Sequence, residues 1–364
     1  MTPPSVRKRP AVLRYVQASV TVWVVVEFGF ELQVCQWAEH HWPPDGERGS
    51  PVIVARQLGT KHRRWDTVII ECTSDGLAAR ARFGDRSLDS DLLAVVRGAP
   101  AEWGWYRDVL PKPSYPWRYV REAVNRAADR ALIERRTRGG RVEIKRRWQY
   151  PEWVSRVIAI ENKPDMDASA ARDLVGQLER DIALSLAEEV WVATAESEKT
   201  AILLGEAPVE AGILTIAPGK RGAQATSVVW QPRTLAVDRY GTRILDRPSG
   251  KKHDRSGATF EYASAEWKAN KRLEIAERAY ERGWRSYIDS MRPDCRYFEL
   301  RPTTAVSRPF CTAKGRSQTT RECSGSCPAF EPEPPTWRVQ GWPVDGGPGN
   351  CVKRLLRRQR ARRR

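Results

Sequence analysis

Apolar positions along the chain change period several times, and the changes outline its elements. Residues 27 to 42 place Phe28, Leu32, Cys35 and Trp37 near helical spacing, ahead of Trp42, Pro43, Pro44 and a polar Asp-Gly loop. PVIVARQLG (51 to 59) and WDTVIIEC (65 to 72) are short and β-branched, and the basic turn Thr60 to Arg64 between them predicts paired strands. RVIAIENK (156 to 163) reads as a buried strand. A helix with the stripe Leu174, Leu178, Ile182 and Leu186 follows, then the strand EEVWVATA (188 to 195), with GILTIA (212 to 217) as a further strand. A strand, crossover helix and strand of this length requires a parallel pair with helices against the sheet. The expected class is α/β, an αβββαβ core with a mixed sheet, formed by residues 26 to 86 and 151 to 220.

Residues 87 to 150 interrupt that core. SLDSDLLAVVRGA reads as a helix capped by Ser87 or Asp89, PWRYVREAVNRAADRALI as a second helix opening with Pro116, and ERRTRGGRVEIKRRW as two short strands around Gly139 and Gly140. Helices followed by a basic hairpin outline a winged helix. Its second long helix, carrying Arg118, Arg121 and Arg126, would face nucleic acid, and its wing would supply Arg135, Arg136, Arg138, Arg141, Lys145, Arg146 and Arg147. Beyond the core come residues 221 to 292, with a polar stretch from Arg221 to Ala258. A long helix follows near Ser264 to Met291, with Trp267, Ala276, Tyr280, Trp284 and Ile288 on one face and packed against the core. A cysteine-rich module (293 to 330) and a disordered basic tail (331 to 364) complete the chain.

Charge narrows the partner. The 364 residues carry a formal net charge of +17, so polyanions are the expected partner, and the dominance of arginine in the basic stretches suits phosphate and base edges. No run reaches the roughly 18 apolar residues that span a bilayer. The expectation is a cytoplasmic protein that binds DNA, with RNA as the alternative, and no membrane; its oligomeric state is open. The start of the chain, MTPPSVRKRP followed by AVLRYVQASVTVWVVV, has the outline of a secretory signal without a small-residue cleavage site. Residues 1 to 25 are therefore read as an extension ahead of a start near Val26.

Hydrolysing a phosphodiester needs oxygen ligands that converge on one or two divalent cations. Asp66 opens one strand and Glu161 ends another, and Lys163 lies two residues further on. Residues i and i+2 of a strand share a face, so Glu161 and Lys163 point into one site while Asn162 points away. Asp66, Glu161 and the Ile160 carbonyl would hold Mg²⁺ or Mn²⁺, and Lys163 would orient the attacking hydroxide.

This arrangement resembles the PD-(D/E)XK nuclease superfamily, which places an aspartate on its second core strand and Glu-x-Lys on its third. The resemblance covers about residues 27 to 217, less the insertion, and implies a restriction-endonuclease-like core. It further implies an acidic residue on the first helix, for which Glu31 is chosen over Glu27 and Glu39. A glutamine on the helix after Glu-x-Lys would be Gln177, a RecB/Cas4-like feature, and Asp181 stands where the usual tyrosine would follow. Runs such as FELQVCQWAEHHWPP and IAIENKPDMDASAARDLVGQLERD are also similar to an uncharacterised, mostly haloarchaeal PD-(D/E)XK-like family. The function implied is a metal-dependent DNA nuclease in repair, recombination or defence. A non-catalytic winged-helix DNA-binding protein and an RNA-processing nuclease are the alternatives.

Four of the seven cysteines fall late in the chain with the spacing C-x15-C-x11-C-x3-C. Cys295, Cys311, Cys323 and Cys327 can close one tetrahedral zinc site or hold a [4Fe-4S] cluster. Cys35 and Cys72 fall in apolar segments and read as packing residues, and Cys351 has no evident partner. Four histidines are too few for a histidine-based metal site; His40, His41, His62 and His253 read as surface polar residues, with His62 near the expected reaction centre.

Overall fold

The computed structural model describes residues 12–46, 50–61, 63–164, 168–195, 200–217, 226–246, 259–284, 292–293, 295–302, 307–318, 323 and 327–331. His62, His253, Ile288, Cys351, residues 1–11 and the basic tail from 332 lie outside the described residues.

A six-stranded mixed sheet forms the centre, in the order β1 (Val52–Gly59), β2 (Arg64–Cys72), β6 (Val154–Lys163), β7 (Glu189–Ala195), β8 (Gly212–Ile216), β9 (Thr226–Trp230). β1, β2 and β6 pair antiparallel, β6, β7 and β8 parallel, and β9 antiparallel to β8. The chain is thus a mixed α/β protein with a mixed sheet. The parallel β6–β7 pair follows from its crossover, α6 (Ala168–Leu184), whose Leu174 and Leu178 bury against Val190, Val192 and Ile213.

The first helix, α1 (Val12–His41), begins well before the expected residue 27. Phe30, Leu32, Val34 and Trp37 bury against Ile69, Ile158, Ile160 and Trp191 on one face of the sheet. The opposite face carries α8 (Ala265–Arg282), whose Ile275, Ala276, Ala279 and Tyr280 meet Val68, Ile70, Val157 and Ala159. Ser264 caps α8 by accepting from the Trp267 amide, and the helix ends at Gly283 (φ 60°), short of the expected Met291. The polar stretch from Arg221 contains two strands that its pattern concealed: β9, and β10 (Gly241–Asp246), which pairs with β11 (Thr259–Ala263).

The insertion has its own core. After α2 (Ser74–Ala81) come α3 (Ser90–Gly98), β3 (Gly104–Trp105), α4 (Tyr106–Val109), α5 (Trp117–Asp129), β4 (Ile133–Arg138) and β5 (Arg141–Arg146). The strands form an antiparallel sheet in the order β3-β5-β4. Leu92, Val96, Val124, Leu132 and Ile144 pack between helices and sheet. Asp89 is the residue that caps α3, through its carboxylate and the Leu92 amide.

A buried ion pair ties insertion to core. Arg80 and Glu277 meet at 2.5 Å with both side chains fully buried, the guanidinium stacks 4.2 Å from the Tyr280 ring, and Glu277 also accepts from Tyr150 Oη and the Leu88 amide. Near the end of the described chain, β12 (Phe298–Pro302), β13 (Ser307–Cys311) and β14 (Arg316–Ser317) form a small antiparallel sheet. No helix among the described residues is long and apolar enough to cross a membrane.

Candidate active site

The antiparallel register of β2 and β6 determines the site. Thr67 pairs with Ile160, so the next step sets Asp66 opposite Glu161 at the end of the sheet. The backbone amide of Asn162 donates to Asp66 Oδ2 at 2.9 Å and fixes that carboxylate across the strand gap. Alternation puts Glu161 and Lys163 on one face of the strand; Glu161 meets α6 through Arg63 and Asp181, and Lys163 at the strand end lies against Glu27 of α1. Asn162 turns the other way, where its amide donates to Thr67 Oγ1, itself 3.3 Å from Cys35 Sγ.

A second acid reaches the cluster from α1. Gln57 Nε2 donates both to Glu31 Oε1 (3.1 Å) and to Asp66 Oδ1 (3.2 Å), so one amide bridges the two carboxylates. Gln57 has φ 55°, a left-handed conformation that costs a non-glycine residue energy. Of the three candidate acids on this helix, Glu31 is the one joined to Asp66; Glu27 lies 3.6 Å from Lys163 Nζ, and Glu39 is buried in the apolar layer.

Arg63 brings β1, β2 and α6 together. Its Nη2 lies 2.7 Å from Glu161 Oε1 and 2.8 Å from Asp181 Oδ2, and its Nε donates to Asp181 at 3.1 Å. The turn that aims it requires Gly59: a Cβ there would stand 2.2 Å from the Arg63 carbonyl oxygen. Arg63 approaches Glu161 Oε1 too obliquely for a hydrogen bond, and that buried oxygen has no aligned donor. Burial first, then the neighbouring Asp66 charge, pushes Glu161 up to about 8 against the pull of Arg63. Burial likewise raises Glu31 to about 7, opposed by Arg56 and the Gln57 hydrogen bond.

Several sequence-derived expectations thus meet at one place: Asp66, Glu161, Lys163 and Glu31, with the Ile160 residue buried beneath them. Gln177, half-buried one turn before Asp181, makes no hydrogen bond among the described residues. Arg63, Asp181 and Gln57 were missed as members of the site. Asp181 had marked itself as a departure from a motif, and Arg63 lay in a basic turn that gave no sign of folding back 118 positions along the chain.

A cleft of about 840 Å³ lies beside this cluster, between the core, the start of the insertion, α6, β10 and α8; Arg63 and Asp181 line it, and Asp66, Glu161 and Lys163 do not. Lys61, Arg63, Arg180, Arg243, Lys271, Arg278 and Arg282 line it against only Asp89, Asp181, Glu274 and Glu281, which leaves it positive.

On the insertion, Arg118 and Arg121 are exposed on α5, whereas Arg126 pairs with Asp89 (2.6 Å) and Asp91. Along the hairpin Arg136 pairs with Glu143 and covers the Trp103 ring, Arg135 donates to Asn125, Arg141 lies over Trp105, and Arg147 donates to the Ala131 carbonyl. Arg138 is exposed, and Lys145 and Arg146 are half-buried.

The four late cysteines line a single small cavity, described further below. Neither there nor at the carboxylates does any group of three or more His, Cys, Asp or Glu side chains among the described residues already have the arrangement of a metal site. Cys35 and Cys72 are buried, as expected of packing residues.

The molecule is therefore a mixed α/β protein with an acidic cluster at the end of its central sheet and a basic cleft beside it. The chain belongs to the family DUF5787, a family of unknown function, whose match spans residues 53–332. No curated protein and no solved structure matches it.

Proposed function

We propose that this chain is a divalent-metal-dependent nuclease of the PD-(D/E)XK type that hydrolyses DNA. The observation that carries the reading is the β2–β6 register, which sets Asp66 opposite Glu161 and puts Lys163 on the same face as Glu161. Asp66, Glu161 and the Ile160 carbonyl would hold Mg²⁺ or Mn²⁺. Glu161 Oε1 fits the role: it is a buried acceptor without an aligned donor, and a guanidinium cation already lies against it. When bound, the ion supplies charge neutralisation on the phosphoryl oxygens and lowers the pKa of the attacking water. Lys163 positions that water, Glu31 takes up its proton, and the Gln57 amide holds Glu31 and Asp66 at a fixed separation.

The insertion supports a duplex-holding role. Its element order and β3-β5-β4 sheet match the plan of a winged helix, in which α5 would present Arg118 and Arg121 to the groove and the β4–β5 hairpin would touch backbone. One observation favours a second reading, a DNA-binding protein without catalysis: the Arg63 guanidinium already lies against Glu161 and Asp181, where a metal ion would have to displace it from Glu161.

The test incubates the full chain with circular single-stranded, circular duplex and linear DNA, and with RNA, in Mg²⁺ or Mn²⁺, beside Asp66→Ala and Lys163→Ala. Cleavage of DNA by the wild type alone is expected, and cut circles would mark internal cleavage. If no nucleic acid is cut while all three proteins bind DNA alike, the non-catalytic reading replaces this one; preferential RNA cleavage would move the substrate to RNA.

A further inference from the structure

The module beyond α8 packs its sheet on α1 and has a small apolar core of its own. Among its described residues the buried apolar side chains are Pro293, Cys295, Leu300, Pro309 and Phe330, of which Leu300 packs with α1 and the central sheet, and none of the described cysteines forms a disulfide. A unit this small needs a staple. Three chain segments nevertheless bring four cysteines around one space. Cys295 begins a turn in which the Phe298 amide donates to its carbonyl at 3.0 Å, leading into β12. Cys311 ends β13 directly opposite Phe298. Cys327 begins a second turn of the same form, with the Phe330 amide donating to its carbonyl at 3.1 Å. Cys323 joins them and is approached by the Arg292 backbone amide.

The cavity these four thiols line has a volume of about 20 Å³, and the rings of Phe298, Phe310 and Phe330 line it as well. That is room for about one water-sized sphere. A single ion fits between the thiols as they stand, whereas an iron-sulfur cluster of eight core atoms would require the four cysteines to move apart. Four thiolates around one dication carry a net charge of −2, and Arg292 and Lys314 line the same cavity.

We infer that Cys295, Cys311, Cys323 and Cys327 bind one structural Zn²⁺ ion. Binding draws the four sulfurs inward onto the ion, forms four Zn–S bonds and releases four thiol protons to solvent, with no change of oxidation state. The ion adds a cross-link between three chain segments to a module with a small core. The inference is independent of the carboxylate site, and its test reads no nuclease activity.

The full chain, expressed without a histidine tag, is analysed for zinc, iron and acid-labile sulfide. One zinc per chain is expected, with no iron or sulfide. Cys311→Ser and Cys327→Ser lose the zinc, while Cys351→Ser keeps it. Because a cysteine variant that fails to fold would also lose metal, Co²⁺ is exchanged into the wild-type chain as well: four-thiolate tetrahedral coordination gives intense sulfur-to-cobalt charge-transfer bands and visible d–d bands. Wild-type protein without zinc, protein carrying iron and sulfide, zinc retained by Cys327→Ser, or a cobalt spectrum without thiolate bands would each overturn the assignment.

Discussion

Glu161 is held in an environment that favours its protonated form, and the sign of the effect can be worked through. Its folded value of about 8 stands above the ordinary 4.5, so the native state holds the proton more tightly than the unfolded chain. That contribution is fully present below about pH 4.5 and is lost as pH rises through 8; Glu31 behaves the same way through about 7. The metal-free protein should therefore lose thermal stability between pH 5 and 9, and Glu161→Gln should flatten the upper part of the loss. Thermal melts in chelator across that range check this; a wild type and Glu161→Gln with superimposable pH profiles would contradict it. Arg63 makes a second prediction. Its guanidinium competes with any cation for Glu161, so Arg63→Ala should tighten Mn²⁺ binding by roughly tenfold, equivalent to about 1.4 kcal/mol. Calorimetric titration of Mn²⁺ reads this directly, and weaker binding in the variant would assign Arg63 to holding the site together.

At the level of elements, the Arg80–Glu277 pair joins α2 to α8 on one face of the sheet and anchors the entry to the insertion. Removing either charge leaves the other buried and unpaired, so Arg80→Ala should cost about 3–5 kcal/mol in denaturant unfolding. A loss below about 1 kcal/mol would mean that the site relaxes or admits water. The same elements show what sequence could reveal. β2, β6 and α6 were legible because β-branched runs and an i, i+4 stripe record burial directly, and the site followed because Asp66, Glu161 and Lys163 sit at strand ends with fixed alternation. The start of α1 was not legible, since residues 20 to 26 are apolar or uncharged throughout and give no helical period. β9 and β10 were concealed because their apolar residues follow no alternation of burial: β9 is an edge strand and β10 lies in a two-stranded hairpin, and Val229, Trp230 and Leu245 are exposed. Arg63 was missed because its role depends on a turn geometry and on a partner far along the chain.

Across the whole molecule, with its net charge of +17, two basic surfaces could receive the nucleic acid proposed as substrate: the cleft beside Arg63 and Asp181, and the exposed face of α5 with its hairpin. Only the first adjoins the acidic cluster, which it meets at Arg63 and Asp181. The cleft residues Lys61, Arg180 and Arg282 are exposed, as are Arg118, Arg121 and Arg138 on the insertion, so both sets can be reversed to glutamate without opening a core. Each lost phosphate contact removes about 0.9 from the slope of log affinity against log salt for a duplex and about 0.7 for a single strand. If the substrate lies along the cleft, the Lys61→Glu, Arg180→Glu, Arg282→Glu triple variant should lower that slope by about 2 to 3 in fluorescence anisotropy titrations over a salt series. The size of the step per residue would separate duplex from single strand. An unchanged slope in this variant, with the loss confined to the insertion set, would put the nucleic acid on α5 and away from Asp66 and Glu161. Binding would then occur on a surface that cannot deliver a phosphodiester to the acidic cluster, and the two ends of the mechanism would have to be joined by a movement of the insertion.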